Sequence, residues 1–123
     1  MTQVMSDRLS RIGNYEVVEP FYIDCDYRLE GNNNQTDLIY LTGKHSSKNL
    51  ATEISADLEN KGLPVQTLIL KEWGSALMSV TIINDCNIFL VSGDENDQAL
   101  VGVMHSNKDA RGRAIGRLDQ LLR

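Results

Sequence analysis

Histidine and cysteine are scarce in this chain, two of each, and their scarcity removes most transition-metal chemistry at the outset. No pair drawn from His45, His105, Cys25 and Cys86 has the short spacing of a zinc ligand set, and the cysteines form no CxxC. Buried thiols are the expectation for both. No apolar run approaches the ~18 residues that a membrane helix needs, and the start is not basic-then-apolar, so neither a transmembrane segment nor a secretory signal is expected. The chain therefore reads as cytoplasmic. Basic residues are the minority, 12 against 17 acidic for a net charge of −5, which argues against nucleic acid and anionic membrane as partners. With two prolines, no repeats and no shift in composition, nothing divides residues 1–123 into more than one domain.

What is present is enough for one modest core, since 41% of the residues are hydrophobic. Val4, Leu9 and Ile12 fall loosely on one helical face, predicting a short helix over 4–12. Glu16 to Glu30 alternates beyond Pro20 and predicts a half-buried strand; GNNNQT is a turn, and DLIYLTG supplies the second strand of a hairpin. SSKNLATEISADLENKG is the clearest helix, with Ser46 or Ser47 as cap, Leu50, Ala51, Ile54 and Leu58 at helical spacing, and Gly62 and Pro64 ending it. VQTLILKEW, ALMSVTII and NIFLVSG read as three further strands. A helix over 75–85 is the competing reading of the middle one, disfavoured by its alternating β-branched residues.

The tail, NDQALVGVMHSNKDARGRAIGRLDQLLR, admits two readings. Apolar residues at 99, 100, 103, 104, 110, 114, 115, 118, 121 and 122 share one helical phase, which predicts a single helix from about 97 to 122. Gly102, Gly112, Gly116 and the polar run HSNKD speak instead for a strand ALVGVMHS followed by a short basic helix. The long helix is the reading adopted, giving an α+β fold ordered helix, two strands, helix, three strands, helix, with a five-stranded antiparallel sheet packed by helices.

No residue set specifies a reaction. LTGKHSSKN could offer backbone N–H groups, Lys44 and Ser46 to a phosphate, but it lacks the first glycine of a Walker A loop, and an ordinary strand-to-helix turn explains it. Arg113 and Arg117, four apart, would share one helix face and could clamp a carboxylate or phosphate; a solvated face is the plainer account. Asp24 with Asp26, and Asp94, Glu95 and Asp97, are at most weak magnesium ligands. No serine sits in a nucleophile elbow, so no cofactor and no catalytic residue is expected. Trp73 is equally a core residue or an interface anchor.

The element order resembles the Roadblock/light-chain family, through the DYRLEG turn, the LATEISADLENKG helix, the strand-turn-strand around WGS and the NIFLVSGDENDQALVGV entry into the last helix. That resemblance implies a five-stranded antiparallel sheet between helices and a non-enzymatic dimeric adaptor for another protein, such as a small Ras-like GTPase. By position it implies a homodimer surface of Leu50, Ile54 and Leu58 on the central helix, with Leu68, Leu70 and Trp73 on the edge strand 65–73. An exposed apolar strand there is itself a template for pairing. The chain departs from the family in its Asn-rich hairpin loop. The alternatives are an acidic secretion chaperone and a small nucleotide-binding protein. The latter would be either an α/β domain with a ligand near Gly43 and Gly93, or a binder using Arg113 and Arg117, since DARGRAIGR is similar to a C-terminal pattern of small phage proteins, some of which sequester signalling nucleotides.

Overall fold

The structure, a computed structural model, describes residues 9–26, 34–43, 49–70, 76–92 and 97–123. Among these residues seven strands form one antiparallel sheet: β1 (Arg11–Ile12), β2 (Tyr15–Asp26), β3 (Gln35–Thr42), β4 (Gln66–Leu70), β5 (Ala76–Ile83), β6 (Cys86–Ser92) and β7 (Gln98–His105). The two described helices, α1 (Leu50–Asn60) and α2 (Lys108–Leu121), lie on one face of it. The order across the sheet is β1-β2-β3-β7-β6-β5-β4, so α1 carries the chain from the middle of the sheet to its far edge, and a meander returns it to β3. This replaces the five-stranded sheet with three helices that the sequence and its family resemblance led us to expect.

Two expectations account for the difference. Residues 98–105 are a strand, not the first half of a long helix, and they pair in full register with β3, from Gln35↔His105 to Thr42↔Gln98. The helix starts only after Asn107, whose side chain accepts from the N–H groups of Asp109 (2.8 Å) and Ala110 (3.1 Å). ALVGVM misled because it is apolar on both of its faces; a continuous apolar run fits a period of 2 as well as one of 3.6. The helix expected over 4–12 lies mostly outside the described residues, and Arg11–Ile12 within it form β1. Residues 76–83 are a strand, which removes the helix that the α/β nucleotide-binding alternative required.

Local chemistry sets the boundaries. Asn49, rather than Ser46 or Ser47, caps α1, accepting from Thr52 N–H at 3.2 Å. Gly62 ends that helix at φ +96°, with Gly62 N–H on the Glu59 carbonyl and Leu63 N–H on that of Leu58, the paired bonds of a Schellman stop. Asn84 and Asp85, both at positive φ, make the two-residue turn joining β5 to β6, matching the type I′ requirement. Between the pairs Val18↔Tyr40 and Ile23↔Leu38 the register shifts, and Pro20, which cannot donate to a ladder, falls inside that irregularity.

The core lies between the helices and one sheet face: Ile39 and Leu41 of β3, Ile88 and Leu90 of β6 and Val101 and Val103 of β7 meet Ile54 and Leu58 of α1 and Ala114 and Leu118 of α2. One cation is buried with them. Arg111 of α2 is 1% exposed, its Nε is 3.1 Å from Asp37 Oδ2 on β3, and its guanidinium donates to the His105 carbonyl at 2.7 Å. At the other end of α2, Asp119 accepts from Gly13 N–H (2.8 Å) and Arg123 (2.8 Å), tying the β1–β2 turn to the C-terminus. Lys61, just past α1, reaches the Leu121 carbonyl at 2.5 Å.

On the opposite face the strands are again apolar. Leu38, Tyr40, Leu100, Phe89, Val91 and Val80 stand side by side there, and Phe89 lies over Gly102, where a Cβ would sit 1.9 Å from its ring. No described helix or strand covers that face.

Asp37→Ala should cost about 3–5 kcal/mol in urea denaturation, because it removes the carboxylate 3.1 Å from a buried guanidinium, and Asp37→Leu with Arg111→Met should recover part of that loss. Burial pushes the Asp119 carboxyl up, but the Gly13 N–H and Arg123 outweigh it and hold the group below its ordinary value. Its stabilising contribution is therefore full above the unfolded value of about 3.9 and lost as pH falls through the lower folded one. Asp119→Asn should flatten the acid limb of stability against pH below about 4, as followed by thermal melts.

Candidate functional site

Strand β4 is the sheet edge, and the site is built around it. α1 packs over β5, β6 and β7 but stops short of β4, because its apolar stripe of Leu50, Ile54 and Leu58 is used up on the strands beneath it. The edge strand is therefore left bare on both faces: Ile69 is 62% exposed on the helix side and Leu68 41% exposed on the other. Leu77, paired with Ile69 on β5, is 51% exposed.

Between this overhang and α1 runs a cleft of about 350 Å³. Its floor is small and polar, including Ser55, Ser79 and Ser92, while Thr67 and Leu77 form the outer wall and Thr52 and Glu59 the helical one. Ser55 donates to the Ala51 carbonyl at 2.8 Å, and Asn49, besides capping α1, donates to Ser92, fixing the helix start against β6. Thr81 donates to the Pro64 carbonyl at 2.9 Å, anchoring the entry into β4. Ser55 and Ser92 of the floor are hydrogen-bonded; the lip is apolar and, among the described residues, its strand edge has no neighbour in the sheet.

Leu50, Ile54 and Leu58, expected at a dimer surface, are completely buried in the protomer's own core and offer no area to a partner. Leu68 is exposed on the edge strand as expected; Leu70 ends that strand, and Trp73, Lys44 and Ser46 lie outside the described residues. Arg113 and Arg117 do share the exposed side of α2, where Arg117 bonds to Gln120 at 3.2 Å. Ile69 and Leu77 are the residues that sequence reading missed. Their signal was present: Thr67, Ile69 and Leu77 fall on the alternate face of strands too far from the helix stripe to be covered.

Chemically reactive groups do not gather here. Burial pushes the Cys86 thiol up, an effect that Arg111 and Arg113 oppose and Asp85 reinforces, so the thiolate is disfavoured; its Sγ contacts the Ala110 carbonyl at 3.4 Å. Burial, with the carboxylates of Glu53 and Asp57, pushes the Tyr15 phenol up to about 12, which keeps it protonated. Among the described residues no three of His, Cys, Asp and Glu are grouped to hold a metal, and no helix is long and apolar enough to cross a membrane.

Compared with protein-family models, curated proteins and solved structures, the chain matches none of them.

Because Arg113 and Arg117 stand on a solvated helix face, replacing both with Ser should change the free energy of unfolding by no more than about 0.5 kcal/mol each. Urea titration of the double variant measures this, and a larger loss would reveal a structural role for the pair.

Proposed function

We propose that this chain is a non-enzymatic protein-binding domain that takes an extended segment of its partner along β4, as an added strand. The observation that carries this reading is the bare edge: a strand QTLIL with Leu68 and Ile69 exposed on opposite faces and, among the described residues, no strand beyond it. Such an edge offers backbone donors and acceptors in a row, and side-chain pockets above and below supply selectivity.

The cleft specifies the segment further. An added strand would lay alternate side chains beside Thr67 and Ile69 and toward the mouth of the cleft, where Glu59 is the charged group. A basic residue flanked by apolar ones matches that surface. A second copy of β4 does not, since an edge-to-edge pair would bring the two acidic Glu59 sides together.

Fluorescence anisotropy with a short Val/Thr peptide carrying one central lysine tests this. Saturable binding is expected, lost when the pairing edge of the peptide is N-methylated, lost with Ile69→Asp, and weakened about two- to fivefold by Glu59→Gln at low salt. Absence of saturation up to about 1 mM, or equal binding of the N-methylated peptide, overturns the reading. The same titration against a small Ras-like GTPase examines the partner class that the family resemblance implied.

A further inference from the structure

We infer that the helix-free face of the sheet is the seam of a homodimer in which two copies stack sheet on sheet. This goes beyond strand addition at β4 and uses a different surface.

An antiparallel sheet with one face in water normally alternates apolar with polar residues. Here the alternation is missing. β7 turns Ala99, Val101 and Val103 to the helices and Leu100 and Met104 to the other side; β5 gives its outer side Met78, Val80 and Ile82, the last 60% exposed. The polar residues of this face lie at its margins, Thr42 and Gln98 at one end of the strands, Thr36 and Asn87 at the other, and Gln66 on the edge strand. An apolar centre inside a polar rim is the anatomy of a protein interface rather than of a solvated sheet.

Charge and area select a second copy as the occupant. The molecule carries a net charge of −5, so two copies meet with least repulsion through neutral surface. Among the described side chains the face bears charge only at its β1 corner, where Arg11 and Glu16 pair with each other at 3.9 Å. A flat, neutral, apolar patch satisfies the self-complementarity that a two-fold contact demands, with no unpaired charge left over. Six adjacent strands spaced about 4.8 Å apart, with about five residues each at about 3.4 Å, give a patch on the order of 500 Å². Two such faces bury about 1,000 Å², the least that a specific interface needs. Sheets stacked about 10 Å apart then make a four-layer helix-sheet-sheet-helix particle that leaves both β4 edges free.

Sedimentation velocity over about 1–100 µM tests the seam. Wild type is expected to sediment at twice the 13.8 kDa chain mass. Because Ile82 is exposed in the protomer, Ile82→Asp and Ile82→Lys should both fold and both weaken the dimer about 100-fold, whichever sign of charge is introduced. Ile69→Asp, on the helix side, should leave the dimer intact while abolishing peptide binding, so failure of the seam and failure of the strand-addition reading are separate outcomes. Circular dichroism melts check folding, and Met78→Glu serves if either Ile82 variant does not fold. A wild type that is monomeric at about 100 µM, a stoichiometry other than two, or a dimer indifferent to every folded variant of this face overturns the inference.

Discussion

The buried guanidinium of Arg111 fixes how the two layers of this molecule meet. Arg111 reaches from α2 through the core to Asp37 on β3 and to the backbone carbonyl of His105 on β7. It therefore joins the helix to the two strands whose pairing unites the two halves of the sheet. Most apolar residues of α2 tolerate a range of rotations: Ala110 and Ala114 are small, and Ile115, Leu118 and Leu122 specify a stripe rather than a register. A desolvated guanidinium is less forgiving, because any slip that separates it from Asp37 exposes the full cost of a buried charge. The ion pair contributes register more than net stability, and its neighbours are arranged around it. Cys86 sits beneath the same turn of helix, and Asn107 caps that helix one turn earlier.

Much of the architecture was legible in the residues. The hairpins β2–β3 and β5–β6, the helix ending at Gly62 and the edge position of QTLIL all follow from alternation, turn chemistry and capping. The failures have physical causes. Asn107 belonged to a polar run that was absorbed into a helix because the apolar residues on either side happened to keep phase across it. The burial of Ile54 and its neighbours could not be separated from exposure by periodicity, which locates an apolar stripe without saying whether the chain's own sheet or a partner covers it. The buried Arg111 looked like one arginine among several on a basic helix. Only the position of Asp37 in three dimensions distinguishes it from Arg113 and Arg117.

The same ambiguity accounts for the strands. Where a sheet is apolar on both faces, its sequence loses the period that would announce it, and ALVGVM becomes indistinguishable from part of a helix. That loss carries information of its own. A strand apolar on both faces is readable only with difficulty, and β7 lies at the middle of the sheet, under the helices on one side and with its Leu100 and Met104 beside Phe89 on the other. Edge strand β4 differs, since its exposed apolar residues lie at the border of both layers.

The order of strands also governs how the chain can assemble as it is made. β3 has its inner partner in β7, more than fifty residues later, and the Gly13 turn is held by Asp119 and packs against Leu122 at the far end of the chain. The first three strands thus leave the ribosome as a sheet fragment with an open edge and no helix to cover it. Closure waits for the final turn of α2, so folding is a single late event, dominated by contacts distant in sequence and slow for that reason. A chaperone that shields the interval between β3 and β7 would act on a stage at which this small domain is vulnerable to pairing with the wrong strand.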